Sequence, residues 1–468
     1  MMNWKTIFRS LKNRDMLKRL LILLSIIVAY RLLAHVPVPL ASPSQLKDVV
    51  NSIVNGSDLG GFLNLLSGGA LTSFSIVLVG MSPFITSSII TQLLTKAIPK
   101  LEELHKDGES GRRKINQWTR LIAVPLSIVQ SIAFIYILRQ TVLSGSLANT
   151  TLMSWIVAVT AMSAGSIILM WFGELITEQG VGNGISLIIF AGIISQLPKT
   201  MATIGSSVFN TSSGSLSVFG WFTLPVNPSS FWVTLSILLV SLMILYILVK
   251  VNEAQRVLTI NYAKRVHGNS SYGGIKSILP VKLIAANVIP IIFAVAFLSL
   301  PAFVGQILKA TNNPAYATVA ANLIAWFQAP SAGSFTGSTL QAFIYPAAYF
   351  LLVIVFTYFY TGIIFNSNEI AENLQKQGGF IEGVRPGKQT EDYLNRTVNR
   401  LTLFGSLTLG LIAVMPFIGE YLLYSIAGVT NSNLSIGGTG LLIVVSVALE
   451  SLRQVNSRAL MVTYDDYK

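Results

Sequence analysis

Few side chains in this chain have types and spacings suited to catalysis. The three histidines, His35, His105 and His267, lie far apart, and the sequence has no HExxH pattern and no cysteine. Metal sites need ligands at short, regular spacing, so isolated surface or interfacial histidines are the favoured interpretation. The lack of cysteine excludes disulfides and thiolate nucleophiles, but it assigns no redox compartment.

Three glycine-rich motifs resemble phosphate-binding loops and fail on detail. In "GVRPGKQT" (383–390) only three residues separate the glycines, and Gln389 follows Lys388 where a phosphate loop has Ser or Thr. The motifs "GVGNG" (180–184) and "GGTG" (437–440) precede apolar runs without the strand that a nucleotide site requires. We therefore expect no ATP hydrolysis, no cofactor and no enzyme.

The elements around these motifs are membrane spans. The 468 residues are 52% hydrophobic and 11% charged, with a mean hydropathy of +0.64. Apolar runs of about 20 residues each cross roughly 30 Å of hydrocarbon as a helix. We predict an all-α polytopic membrane protein with ten spans, at 20–36, 74–95, 116–138, 152–173, 184–203, 229–250, 284–304, 341–365, 401–418 and 437–452.

The net charge of +13 is explained by topology rather than by nucleic-acid binding. Of the 32 Lys and Arg residues, 26 fall on the side of the two termini and the even-numbered loops, and four fall in the odd-numbered loops. Cytoplasmic loops carry this excess of positive charge, so both termini are predicted to be cytoplasmic. The first apolar run contains Arg31 and lacks a cleavage site, so we expect it to be retained.

Charged residues are nearly absent from the predicted span centres. Arg31, Arg120 and Glu174 lie near span ends, where snorkelling is the ordinary explanation. A coupled transporter usually keeps an ionisable residue at mid-membrane. Uncharged polar residues occur instead. Ser88 and Gln92 are four apart on one helix face, so they are either helix-to-helix glue or a wettable seam that can open.

One apolar stretch, "LGGFLNLLSGGALT" (59–72), is too short to span and is interrupted by four glycines. It is either a surface loop, the start of a broken helix, or a re-entrant segment packed inside the protein. In the last case it could be a movable stopper.

Three cytoplasmic loops are long. The loop at 95–117 mixes both charge signs and is interpreted as a solvated connector. In 250–282, Val257, Thr259 and Asn261 alternate with Leu258, Ile260 and Tyr262, which predicts a strand in a projecting hairpin. The loop at 366–400 begins with the amphipathic stretch "NEIAENLQKQ" and breaks at Gly378 and Gly379. Long charged loops on otherwise short connectors favour docking surfaces.

The order and spacing of several motifs resemble the SecY family of bacterial protein-conducting channels. They run almost from end to end: "SGGAL", "IPKLEEL", "GRRKINQWTR", "GNGISLIIFAGI", "INYAKR", "VIPIIFA", "FTYFYT", "EIAENLQKQGGFIEGVRPGKQTEDYLNR" and "GGTGLLIVV". The resemblance implies two pseudo-symmetric halves around a central pore. These are an N-terminal half at 1–203, an extracytoplasmic linker at 204–228, a C-terminal half at 229–452 and a cytoplasmic tail at 453–468.

The resemblance also implies site residues. The pore ring corresponds to Met81, Ile85, Ile189, Ile193, Ile292 and Ile443, and the plug to 59–72 with Gly60, Gly61, Phe62, Leu63, Leu65, Leu66, Gly68 and Gly69. A lateral gate between spans two and three and spans seven and eight would include Thr86, Gln92 and Asn287. An apolar ring can seal around a threading chain and resist water by dewetting.

The family's partners follow from the same resemblance. They are SecE-like and SecG-like small subunits, signal-peptide-bearing preproteins, membrane lipid of the bacterial plasma membrane, and the motor ATPase SecA or the ribosome. The docking residues would be Arg256, Lys264, Arg265, Arg385 and Lys388, whose charge also suits ribosomal RNA phosphates.

Four departures from the family pattern stand out. Ile284 and Asn287 replace the usual Asn and Gly of "KxNxAGVIP", and we expect the displaced amide to keep its helix face. Gln179 stands where a cation is common, Met81 enters an Ile-rich ring, and Gly440 replaces a common Ser. The alternatives to a general channel are an accessory paralogue with few substrates and, less favoured, a secondary transporter.

Overall fold

The computed structural model describes residues 14–39, 74–141, 152–209, 216–218, 222–224, 228–262, 265–267, 270–272, 276–311, 314–327, 330, 339–427 and 435–465. Its helices are α1 (Arg14–Leu33), α2 (Ser82–Ala97), α3 (Pro99–Lys106), α4 (Glu109–Thr141), α5 (Leu152–Gln179), α6 (Gly184–Val208), α7 (Pro228–Glu253), α8 (Ile289–Ala310), α9 (Pro314–Phe327), α10 (Thr339–Ile364), α11 (Ser367–Lys376), α12 (Lys388–Ala427) and α13 (Ser435–Asp465). The strands are β1 (Leu216–Val218), β2 (Phe222–Leu224), β3 (Gln255–Tyr262), β4 (Arg265–His267), β5 (Ser270–Tyr272), β6 (Lys276–Lys282) and β7 (Gly379–Ile381).

The predicted helical class is confirmed. Each of the ten predicted spans overlaps one long helix, namely α1, α2, α4, α5, α6, α7, α8, α10, α12 or α13. Within the described residues, seven helices are long and apolar enough to cross a membrane. The total of ten spans stays a prediction, because α1, α2 and α13 do not meet both criteria there.

Several boundaries differ from the prediction for local reasons. Residues 74–81 form turns rather than the start of span two, and α2 begins at Ser82 with Pro83 in its first turn, where a missing N–H costs nothing. Most of the predicted connector at 95–117 is helical, since α3 and the first turns of α4 occupy it; its interpretation as solvated stays a prediction. The helix α12 begins 13 residues before the predicted ninth span, at Lys388 rather than at 401.

One large apolar cluster holds the molecule together. It takes buried side chains from α1, α2, α5, α6, α7, α8, α10, α12 and α13, and it lies between the helices of both predicted halves. Tyr345 and Tyr349 of α10 pack edge to face against Phe417 of α12 within it. The predicted halves themselves, and the linker between them, stay predictions. The short antiparallel hairpin of β1 and β2 lies within the predicted linker.

Two of the loops predicted to be cytoplasmic form a small sheet that only part of the sequence pattern predicts. β3 pairs with β6 in an antiparallel hairpin, and Leu258 and Ile260 are buried while Val257 and Thr259 are exposed, which confirms the predicted alternation. β7, from the loop at 366–400, pairs with the other edge of β3. We call this three-stranded unit of β6, β3 and β7 the docking sheet, because it joins the two loops predicted to dock partners.

Candidate functional site

The six residues assigned to a pore ring lie together in the large apolar cluster. All six are buried, and they come from α2 with its N-cap, α6, α8 and α13: Met81, Ile85, Ile189, Ile193, Ile292 and Ile443. In the sequence these positions are separated by as many as 362 residues, the span from Met81 to Ile443. Four helices therefore contribute these six apolar side chains to one buried cluster; their assignment to a ring stays a prediction.

The helix α2 carries the polar side chains assigned to a seam. Ser87 Oγ donates to the backbone oxygen of Thr119 in α4, and Thr91 Oγ1 donates to Ser87 O at 2.8 Å. Gln92 Nε2 donates to Ser88 Oγ at 3.0 Å, so the predicted shared face of these two residues is confirmed. Thr86 is buried, and its Oγ1 donates to Ser82 O at 3.0 Å.

The two faces of α2 therefore differ in what they contact. The Ser87 face is fastened to α4, as a helix-to-helix bond would be. Gln92 bonds within its own helix, and its buried Oε1 has no hydrogen-bond partner among the described residues. The helix α8 packs against both α2 and α4, so the helix that carries these polar side chains borders the predicted lateral gate.

Asn287 does not lie in a helix, which corrects the expectation that it keeps a helix face. It occupies the turn before α8, with the left-handed φ of 51°, and α8 begins two residues later at Ile289. A left-handed conformation suits Gly and is tolerated by Asn, which explains why Asn can stand where the family pattern has Gly. Ile284, where the pattern has Asn, is buried in the apolar cluster.

Asn287 bonds across the molecule to a residue that sequence analysis missed. Its Nδ2 donates to Glu450 Oε2 of α13 at 2.9 Å, and its buried Oδ1 has no partner in the part of the chain that the structure describes. The same Oε2 lies 3.9 Å from Lys282 Nζ at the end of β6. Gln454 Nε2 donates to Glu450 Oε1 at 3.1 Å. Glu450 is the only acid in the predicted tenth span, and that signal could have drawn attention to it.

A second bond ties α13 to the other stem of the docking sheet. Arg453 Nη2 donates to the backbone oxygen of Asn252 at 2.8 Å, and its Nη1 donates to Asn252 Oδ1 at 3.4 Å. Asn252 lies in the last turn of α7, three residues before β3 begins. The last helix therefore holds both stems of the docking sheet.

The predicted docking cations are only partly described. Arg256 on β3, Arg385 in the turn after β7 and Lys388 at the start of α12 are exposed. The backbone oxygen of Arg385 accepts from Thr390 Oγ1 at 2.9 Å, which holds this turn while leaving the guanidinium accessible. Arg265 lies in β4, and Lys264 lies outside the described residues. The predicted plug, 59–72 with its eight named residues, also lies outside them.

Gln179 stands where the family pattern commonly has a cation, and it lies at the turn between α5 and α6. Arg19 NH1 of α1 donates to Gln179 O at 2.9 Å. Gly180 has a φ of 65°, and a Cβ there would lie 2.0 Å from Arg458 NH2 of α13. Two arginines distant in sequence therefore lie at this turn, although the turn itself contains none.

Arg120 and Glu174 form an ion pair that the sequence did not predict, and their snorkelling at span ends stays a prediction. Arg120 Nε of α4 lies 2.5 Å from Glu174 Oε1 of α5. The pair joins two neighbouring spans, and each charge has its partner within the protein. Such pairing is the usual condition for charged residues in a membrane span.

Comparison with known proteins decides the family. A family model described as SecY matches residues 75–452. The chain belongs to the SecY family. A curated SecY protein translocase subunit from Corynebacterium glutamicum is 37% identical over 98% of this chain and 98% of its own length. The corresponding subunit from Streptomyces scabiei is 36% identical, again over 98% of each chain.

Solved SecY-type channels share the fold. A structure of a protein-conducting channel superposes with a TM-score of 0.58 at 18% identity, covering 93% of this chain and 90% of that one. A structure concerned with the SecY plug domain gives 0.60 at 17% identity, covering 92% and 89%. Sec61 in the canine ribosome-channel complex gives 0.54 at 18% identity, covering 93% and 90%. The chain is therefore a multi-pass membrane protein with the SecY channel fold.

Proposed function

We propose that this chain is the channel-forming subunit of a protein translocase, which moves unfolded, signal-bearing polypeptides across the membrane and releases spans sideways into lipid. The main support is that the chain is similar to curated translocase subunits over nearly its whole length. The six side chains that the family resemblance assigns to the pore ring are also all buried in one apolar cluster. An apolar constriction passes a polypeptide of any sequence and resists ions when empty, because water does not wet it.

The remaining parts are assigned on the same basis. The boundary between α2, α4 and α8 would be the lateral gate, with Thr86, Gln92 and Asn287 near it. The segment 59–72 would be the plug. Small subunits of the SecE and SecG type would complete the complex. The energy would come from outside the chain, from a SecA-type motor or from a translating ribosome at the docking sheet.

Reconstitution tests the proposal directly. The full chain, purified in mild detergent with its co-purifying small subunits and placed in proteoliposomes, should protect a signal-bearing precursor from added protease when motor and ATP are supplied. The same precursor without its signal should stay digestible. Uptake of a small solute with no polypeptide transport would instead support a secondary transporter.

Depletion in cells separates a general channel from an accessory one. A general channel predicts that export of many signal-bearing proteins stops together. Loss of a single exported protein would favour the paralogue with few substrates.

The proposed location is the bacterial plasma membrane, with both termini and the docking sheet cytoplasmic. The charge bias supports it, since 26 of 32 Lys and Arg lie on that side. The chain has no cysteine, so a single one placed at Thr311 or Lys388 reports on one site. An impermeant maleimide added to intact cells should label Thr311→Cys and leave Lys388→Cys unlabelled; the reverse pattern would invert the topology.

A further inference from the structure

We propose that Glu450 is a positioning residue that transmits docking at the cytoplasmic sheet to the predicted gate helix α8. This inference rests on the proposed function. Its geometric basis is one carboxylate oxygen shared by two elements. Glu450 Oε2 accepts from Asn287 in the turn that begins α8, and it is the ion-pair partner of Lys282 at the end of β6.

The two contacts differ in strength. The Asn287 bond is 2.9 Å long and charge-assisted, whereas Lys282 Nζ stands 3.9 Å away, at the outer limit of an ion pair. Glu450 and Lys282 are 24% and 38% exposed, so the ion pair is accessible to change from the cytoplasmic side. A strand displaced by a docked partner moves Lys282 and thereby alters how firmly the carboxylate holds Asn287.

Further hydrogen bonds hold the surroundings of Glu450, which favours transmission through this residue. Gln454 donates a hydrogen bond to the other oxygen of Glu450, and Arg453 of the same helix donates one to the backbone oxygen of Asn252 before β3. β3 and β6 are paired over seven residue positions. A force applied to the sheet is therefore carried to its stems at α13 rather than absorbed within the hairpin.

Asn287 is placed so that it responds to a movement of the Glu450 carboxylate. Its left-handed φ of 51° is uncommon for a residue other than Gly, and no described residue bonds its buried Oδ1. Part of what keeps the side chain in place is the bond to Glu450. Because α8 starts two residues later, a release at Asn287 acts on the first turn of a helix that packs against both α2 and α4.

The test uses the full chain with its small subunits in proteoliposomes, together with a SecA-type motor. Spin labels on Leu93→Cys of α2 and Leu300→Cys of α8 measure the separation of the two helices before and after the motor docks. Both positions are exposed, and the chain has no cysteine of its own. The variants are Glu450→Gln, which removes the charge facing Lys282, and Asn287→Gly, which removes the bond while suiting a left-handed φ. Lys282→Arg keeps the cation, and Glu103→Gln is the matched neutralisation on an exposed cytoplasmic helix.

We expect motor binding to stay at the wild-type level in every variant. The docking-dependent change in label separation should be lost in Glu450→Gln and in Asn287→Gly, with translocation slowed about tenfold, the scale of one charge-assisted hydrogen bond. The double variant should be no slower than either single one, because both changes break the same link. Lys282→Arg and Glu103→Gln should respond as wild type does.

The outcomes separate two failures. A wild-type complex that moves no precursor refutes the proposed function. A wild-type complex that works, with variants whose helices still separate on docking, refutes the transmission role. A lowered unfolding temperature with the docking response intact would also refute it, since that result marks Glu450 as merely structural.

Discussion

Two isoleucines of the large apolar cluster test the predicted pore ring one side chain at a time. Ile193 and Ile443 are buried, with 6% and 2% of their surfaces exposed. Replacing either by Asn places an amide among apolar side chains, at a cost of about 1–3 kcal/mol to the packed state. Ion leak through proteoliposomes should rise, and precursors with defective signals should be accepted more readily.

The neighbouring Ile194 provides the control, because it is 37% exposed and points away from the cluster's buried set. Ile194→Asn should leave conductance near the wild-type level. Equal leak in wild type, Ile193→Asn and Ile443→Asn would remove these two residues from the ring.

The helix α5 packs closely against the turn at 74–81, and the contact depends on a glycine. Gly165 lies in α5, and a Cβ there would stand 2.2 Å from the backbone oxygen of Ile76. A backbone atom cannot rotate away as a side chain can, so Gly165→Ala must push α5 from the turn at 74–81. We expect a lower unfolding temperature in detergent, with a loss of roughly 1–3 kcal/mol.

The control for helix propensity is Gly362 of α10, where a Cβ meets nothing within 4 Å. Gly362→Ala should be neutral or stabilising by up to about 1 kcal/mol, because Ala favours a helix. If both substitutions acted alike, close packing at Gly165 would not be the cause.

A charge reversal beside β7 tests whether the docking sheet binds the motor. Arg385 is exposed on a turn held by Thr390, next to β7. Arg385→Glu reverses a charge without removing a buried contact, so the complex should assemble normally while motor-driven translocation falls at least several-fold. Lys100→Glu, an exposed reversal on α3, is the matched control. Normal translocation by Arg385→Glu would exclude a docking role for this residue.

Deleting the predicted plug tests how the whole channel is sealed at rest. Deletion of 60–70 removes the segment expected to stop the empty channel, while the ring residues remain. The deletion should raise resting ion conductance and relax the need for a good signal sequence. A deletion of similar length in the predicted linker, within 210–220, is the control; unchanged conductance in the plug deletion would reject that assignment.

Sequence periodicity predicted much of the fold because its causes are local. A span needs about 20 apolar residues wherever it packs, so each predicted span overlaps a helix. Leu258 and Ile260 face inward because alternation along a strand has a period of two. The helix α11 ends where Gly378 takes a φ of 70°, as the glycine pair indicated.

The sequence was enough to predict the class of protein, the course of most spans and, through family motifs, six side chains that prove to be buried in one cluster. The contacts between distant segments could be seen only in the folded structure. It joined β7 to β3, placed Arg19 and Arg458 at the Gln179 turn, and set Asn287 against Glu450 across 163 residues. Hydropathy and periodicity describe how one element meets its solvent, whereas the partner of a polar group depends on how whole helices pack, and no local pattern records that.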